Sequence, residues 1–562
     1  MSKSYKTPIR FIVIFLIILT FYLVLTGKLF YWQVIKAEEI KELRDIQSTE
    51  SLELLPERGE ILFRDNFPIA TNDINYLTYA NPKIIKDIPK YANDLAGVFG
   101  YDAASISARL NQDLFWVRLG VFDHKTKKRV EELDLEGIGF QIEPSRFYPE
   151  ASMAAHLVGF VGKNEDGQDQ GYLGLEGYYN RQLKGKSGKL YIVKDALGNP
   201  IVTDVREEKK VDGRTLLTSI DRTVQYIADE ALKKGVEKYE AEGGSIVIID
   251  PVTGRVLAMS SVPKFDPQKY YEFDGDSYQN PIISDLYEPG STFKVLVMAA
   301  ALNEGLVRAD TRCDICSGPV QMSGFTIKTW NDKYNPNSTM TEVIQNSDNT
   351  GMVFVGQKLG INKMHYYLEE YGFGQNTGID LQGEVTGNLR REAEWLPIDL
   401  ATASFGQGIS VTPIQLLTAV SSIANGVYLV KPTIVEKIID ENGDEIEIKS
   451  ERKRKVLSDS AAEVTKWIMV NAVENGDSRW VTLGDIPVAG KTGTAQIPVA
   501  GRYDPSQTIA SFVGFFPADN PKISMLVLVD RPKTSIYGSE TAAPIFFSIA
   551  RDLLQYYNIK PE

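Results

Sequence analysis

The amino-acid sequence predicts an α+β protein: an antiparallel sheet flanked by helices, carried on an elongated α+β pedestal behind one N-terminal membrane-spanning helix. Three observations carry that reading. The run FIVIFLIILTFYLVL, Phe11 to Leu25, holds no charge, and its apolar character resumes after Gly27-Lys28 as LFYWQVI. Hairpin patterns stand at both ends of the region that begins near residue 213. Between them lies a helical stretch whose centre, FKVLVMAAALNEG, is apolar on nearly all sides, as a buried helix is.

Taken in order, residues 1–10 form a short tail with Lys3, Lys6 and Arg10, and the positive-inside rule places that tail in the cytoplasm. Residues 11–35 follow as the anchor. A cleaved signal peptide would carry a shorter apolar run and a small-x-small cleavage site, so the segment is read as uncleaved and the remainder as extracytoplasmic. Residues 36–212 alternate short strands, turns and helices without a catalytic constellation and are read as a spacer or interaction region. A polar turn at KKVDGRTLLTSIDRTVQ leads into residues 213–562. There an amphipathic helix (TVQYIADEALKKGVEKY) precedes the hairpin SIVIID–RVLAMSS, and a second hairpin, TIASFVGFF–KISMLVLVD, precedes a last helix through APIFFSIARDLLQYY. The first and last segments are expected to share one sheet. At 562 residues, with 43% hydrophobic and 24% charged content, the chain exceeds one compact core, and its net charge of -13 excludes a partner bound by phosphate neutralisation. Cys313 and Cys316 lack the further ligands of a zinc site, which leaves a small disulfide or two loop thiols.

The stretch PVAGKTGTAQIP, Pro487 to Pro498, resembles both a phosphate-binding loop and a serine acyl-transfer motif. The first reading fails on spacing, because Asp485 stands where the loop needs its first glycine; LKGKSGK fails likewise at Asn180. The second requires a serine one helical turn before a lysine, so that the amine can reach the hydroxyl. Ser261–Lys264 is interrupted by Pro263, and Ser450–Lys453 lies in KSERKRK, a solvated charge run. Ser291–Lys294 opens the apolar helix. There the helix dipole favours the serine's anionic form, and burial lowers the lysine's proton affinity. Ser347-Asp348-Asn349 and Lys491-Thr492-Gly493-Thr494 follow in the order such enzymes use, on a loop and on a strand beside the sheet.

With NPIISDLYEPGSTFK, GFGQNTGIDLQGE, ASFGQGISVTPIQLLTA and ASFVGFFPADNPK alongside, nearly the whole chain resembles the class B penicillin-binding proteins, most closely their septal cell-division branch. RFYPEASMAAHLVGFVG and GLEGYYNRQLKGKSG resemble that family's pedestal, or dimerisation, region. The resemblance implies a β-lactamase-like transpeptidase fold over 213–562 and D,D-transpeptidase chemistry on peptidoglycan stem peptides ending in D-Ala-D-Ala, with β-lactams as covalent inhibitors. Ser291 would be the nucleophile and Lys294 its base; Ser347 and Lys491 would relay a proton to the leaving group. Asn349, Thr492, Gly493 and Thr494 would hold substrate, with an oxyanion hole from the Ser291 and Thr494 amides. No metal or organic cofactor is implied. A SEDS-family glycosyltransferase and other division-site membrane proteins are the implied partners, with the elongation branch as the alternative role and, behind it, a β-lactamase or carboxypeptidase that hands the acyl group to water, or a β-lactam sensor. Phe63 and Asn66 depart from the family's usual Asp and Gly, and Asn66 can still take a left-handed turn. The chain stops soon after its last helix, so the wall-binding repeats of some relatives are not expected.

Overall fold

The computed structural model describes residues 9–40, 49–150, 152–194, 200–499 and 502–560. The chain forms two compact units, one of Met1–Pro56 with Gly185–Asp212 and one of Glu57–Lys184 with Gly213–Glu562. In the first, helix α1 (Ile9–Phe30) continues through a π-turn at Tyr31–Ile35, and Ile9–Ile35 is long and apolar enough to cross a membrane. Thr20 and Thr26 donate their hydroxyls to the carbonyls of Leu16 and Tyr22, so neither is left unpaired along the helix. Lys3 and Lys6, on which the orientation partly rests, lie outside the described residues. A three-stranded antiparallel sheet of Thr49–Leu54, Gly188–Lys194 and Pro200–Glu208 completes the unit.

The second unit holds two larger sheets. One runs through Glu445–Glu447, Val435–Ile439, Thr215–Thr218, Ile61–Leu62, Pro68–Ala80 and Val117–Phe122, with Ile138–Phe147 also paired to Pro68–Ala80. Leu216 pairs in parallel with Ile61, so strands from both sides of residue 212 share a ladder. Beside it, the buried carboxylate of Glu176 accepts from Arg58 Nε at 2.7 Å and Arg146 Nε at 2.6 Å. Burial works to raise its pKa, but the two guanidinium groups outweigh that and hold it below the ordinary glutamate value. Phe63 is fully buried in the adjoining core, where the family's usual aspartate would lack this packing, and Asn66 adopts φ 66° as its short polar side chain allows.

The second sheet is the one expected from the terminal hairpins. Helix α2 (Arg222–Lys238) starts where Asp221 accepts from the amides of Thr223 and Val224. Strands β1 (Gly243–Ile249), β2 (Val256–Val262), β3 (Ala489–Val499), β4 (Arg502–Phe516) and β5 (Ile523–Asp530) lie in the order β2-β1-β5-β4-β3, all antiparallel. The first hairpin and the last therefore meet at β1–β5. Helix α6 (Ala542–Tyr556) buries Phe546 and Phe547 against Phe512 of β4 and, with α2, covers one face. The helical middle covers the other. At its centre stands α3 (Lys294–Asn303), whose residues from Lys294 to Ala301 are all buried.

Candidate active site

The nucleophile candidate sits half-buried in a tight one-turn helix, Gly290–Phe293, that leads directly into α3, rather than within α3 itself. Lys294 is the first residue of α3 and is fully buried. The second motif lies at the start of α4 (Asn349–Glu370), where Asp348 accepts from the amides of Thr350 and Gly351. Ser347, just before it, is forced to φ 53°. That left-handed turn is costly for serine and points its carbonyl and hydroxyl at one amine. Lys294 Nζ donates to Ser347 O at 2.7 Å, to Ser347 Oγ at 3.3 Å and to Asn349 Oδ1 at 2.7 Å. Ser347 Oγ in turn donates to Ser291 Oγ at 2.9 Å.

Lys294 and Ser291 are thus joined through Ser347. Among the described residues no hydrogen bond runs directly from Lys294 Nζ to Ser291 Oγ. Asn349 is held from behind, its Nδ2 donating to Lys328 O at 2.9 Å.

The third motif lies on β3, which passes beside the nucleophile's turn. Gly493 is needed there because a Cβ would fall 2.3 Å from Ser511 Oγ and 2.8 Å from Thr292 Cγ2. Lys491 Nζ donates to the carbonyl and hydroxyl of its neighbour Thr492 at 3.1 and 3.2 Å, and no hydrogen bond joins it to Ser347 among the described residues. Thr494 Oγ1 accepts from the amide of Gly538 at 3.2 Å. All eight residues named from sequence therefore lie on three adjoining segments: the turn before α3 with the first residue of α3, the loop before α4 with the first residue of α4, and β3.

Burial sets the electrostatics of the two lysines. It lowers Lys294 well below its ordinary value, and the charge of Lys491 lowers it further, against Asp348 and Asp477. Burial likewise lowers Lys491 to about 8, with Asp477 opposing. Lys491 can therefore exchange a proton close to neutral pH, while burial and the neighbouring cation favour the neutral form of Lys294. Asp477 was not found from sequence: it lies in the turn after α5 (Asp459–Asn475), held there by Gln345 Nε2 donating to Asn475 O, and no motif spacing marks it.

The rejected serine–lysine pairs are equally explicit. Ser261 lies on β2, buried, with its hydroxyl 3.2 Å from that of Ser245, while Lys264 pairs with Asp229 at 2.9 Å. Lys453 belongs to a strand, Arg452–Lys455, paired with Tyr428–Val430. Expected as a wholly solvated run, this segment is partly structural, because Arg454 Nε donates to Glu370 O at 2.8 Å and earns the strand an anchor. Cys313 and Cys316 form a buried disulfide.

A buried lysine, two serines and an asparagine in one hydrogen-bonded chain beside an open strand define a serine acyl-transfer enzyme of the penicillin-binding type. Residues 244–552 match the family of the penicillin-binding protein transpeptidase domain, and residues 53–218 match the penicillin-binding protein dimerisation domain. The chain belongs to the penicillin-binding protein transpeptidases, in the class B group that carries both domains. It is 34% identical to stage V sporulation protein D of Bacillus subtilis, over 100% of this chain and 87% of that protein. It is 28% identical to peptidoglycan D,D-transpeptidase FtsI of Escherichia coli, over 96% and 90%. The crystal structure of a peptidoglycan synthetase from Bifidobacterium adolescentis superimposes with a TM-score of 0.74 at 26% identity, covering 92% of this chain and 98% of that one.

Proposed function

We propose that the chain crosslinks peptidoglycan stem peptides as a serine D,D-transpeptidase and that penicillin acylates the same serine. The single observation that carries this is the 2.9 Å contact of Ser347 Oγ with Ser291 Oγ, with the buried Lys294 amine reaching both Ser347 and Asn349. In this reading Ser291 Oγ attacks the carbonyl between the two D-alanines as its proton passes through Ser347 to neutral Lys294. The amides of Ser291 and Thr494 take the oxyanion. The C–N bond then breaks, the proton held on Lys294 passes back through Ser347, with charged Lys491 assisting the relay, to the departing D-alanine amine, and the acyl group remains on Ser291. Asn349 holds the substrate amide, while Thr492, Gly493 and Thr494 receive the terminal carboxylate. An amine on a neighbouring stem peptide attacks the ester, forms the crosslink and returns the proton to Ser291.

Residues 36–212 serve as the pedestal and 213–562 as the transpeptidase domain, held outside the membrane by residues 11–35 with residues 1–10 in the cytoplasm. The septal branch is the favoured setting, with a SEDS-family glycosyltransferase as partner. A second reading, crosslinking during sporulation, is supported by the 34% identity to stage V sporulation protein D. Incubation with a D-Ala-D-Ala stem peptide and an acceptor amine tests the reaction: crosslinked product with release of D-alanine is expected, whereas hydrolysis alone would assign a carboxypeptidase. Depletion in growing cells separates the settings. Filamentation indicates the septum, rounding indicates elongation, and a defect confined to spores indicates sporulation.

A further inference from the structure

Glu288 lies just before the nucleophile's turn, and its carboxylate is engaged by residues outside the three motifs. Its Oε1 accepts from the amide of Gly408 at 3.0 Å, and both of its oxygens lie 3.1 Å from the hydroxyl of Tyr503. Gly408 belongs to the segment Gly406–Val411, which is laced to the nucleophile's side by backbone bonds: Gly290 N to Gly406 O at 3.0 Å, and Tyr287 with Val411 in both directions at 3.1 and 3.0 Å. Tyr503 lies on β4, across from Pro498 of β3, beyond the register shift between Gln496 and Ile497. That shift turns the outer part of the hairpin away from the regular sheet. The hairpin's inner part carries Lys491 to Thr494, and a Cβ on Gly290 would already stand 3.3 Å from that of Ala495. Two elements that must stay in register for acylation are therefore tied at their roots by packing and, farther out, by one charge-assisted hydrogen bond.

We infer that Glu288 and Tyr503 form a latch that positions the β3–β4 hairpin against the nucleophile's turn, making both of them positioning residues for the acylation step. Burial raises the pKa of the half-buried carboxylate, against the hydrogen bonds from Gly408 and Tyr503, while burial and Glu288 push the Tyr503 hydroxyl up to about 12, so it remains a donor. Loss of the latch leaves the motifs intact but frees the hairpin to move outward. The distance between the Ser291 and Thr494 amides then fluctuates. That penalises the transition state, whose oxyanion needs both donors, more than the initial docking of substrate.

This rests on the acyl-transfer reading, and the experiment separates the two. The full-length chain in detergent is acylated with a fluorescent penicillin, and saturation kinetics divide the acylation rate constant from the dissociation constant of the first complex. Tyr503→Phe, a change at a residue 44% exposed, is expected to slow acylation about tenfold, the scale of one hydrogen bond to a charged acceptor, with the dissociation constant nearly unchanged. In a Glu288→Ala background the same tyrosine change should cost nothing further, while Glu288→Gln, which keeps an acceptor, should restore most of the tyrosine's effect. Equal cost of Tyr503→Phe in the wild-type and Glu288→Ala backgrounds would overturn the latch, as would no cost in either. Should Glu288→Ala fail to fold, Tyr503→Phe against Glu288→Gln with the same rate split still decides it. Absence of any labelling in the wild type would instead overturn the acyl-transfer reading itself.

Discussion

Lys294 occupies a position where burial and a neighbouring cation both disfavour its charge, and every hydrogen bond it makes leads toward the nucleophile's surroundings. Replacing it with alanine removes the proposed base and leaves Ser347 and Asn349 without their donor. Acylation by a reporter penicillin should fall by roughly 10² to 10⁴, the scale of general-base catalysis. An unchanged rate would reassign the base. The same electrostatics dictate a pH profile. Lys294 must be neutral to accept the proton, so the rate rises with pH through its lowered pKa. In the proposed mechanism Lys491 acts as a cation, so the rate is expected to fall again as pH passes about 8. The two lysines interact, so changing Lys491 to methionine should abolish the falling limb and shift the rising limb to higher pH, because Lys294 loses the cation that lowers it. A profile that rises without a break to pH 10 would deny Lys491 its charged role. At this scale the sequence was highly legible, because a serine and lysine one helical turn apart is a local pattern. What it could not show was the left-handed Ser347, whose placement makes it the link between Lys294 and Ser291, or Asp477 acting on both lysines. Those depend on how distant loops pack.

The elements hold these residues by close approach. β3 can lie against the nucleophile's turn only because Gly493 presents no side chain, and the Gly493→Ala methyl would meet Ser511 Oγ and Thr292 Cγ2 inside contact distance. That variant should fold, since β3 keeps its full ladder to β4, yet acylate at least tenfold more slowly, because an outward shift of the strand moves the Thr494 amide off the oxyanion. Wild-type acylation by Gly493→Ala would remove the packing argument. The buried α3 makes a complementary case: Leu296→Ala removes a fully buried side chain from a tightly packed helix and should cost about 2 to 5 kcal/mol in denaturant unfolding. Element periodicity was likewise legible. The terminal hairpins, α2, α3 and α6 all stand where their apolar patterns put them. The charge run at 449–455 was not, because the strand pairing that recruits Arg454 comes from residues far along the chain.

For the whole molecule, the sheet that joins Ile61 to Leu216 and on to Val435 shows that residues on both sides of 212 build one ladder in the second unit. That pairing was invisible in sequence, where only a polar turn near 212 could be read. The buried Glu176 triad lies beside it. Glu176→Leu would leave two guanidinium groups buried without their counter-charge and should destabilise the chain by about 3 to 5 kcal/mol, measured by chemical denaturation. Topology is open to direct test as well. Protease added to intact spheroplasts should remove everything beyond the anchor, and full protection would contradict the proposed orientation. The central claim, that Ser291 is the acylated nucleophile within this hydrogen-bonded chain, is tested most directly by mapping the peptide modified by penicillin in the wild type beside Ser291→Ala. The adduct is expected on Ser291 and absent from the variant; an adduct on Ser261 or Ser450, or undiminished labelling of Ser291→Ala, would contradict it.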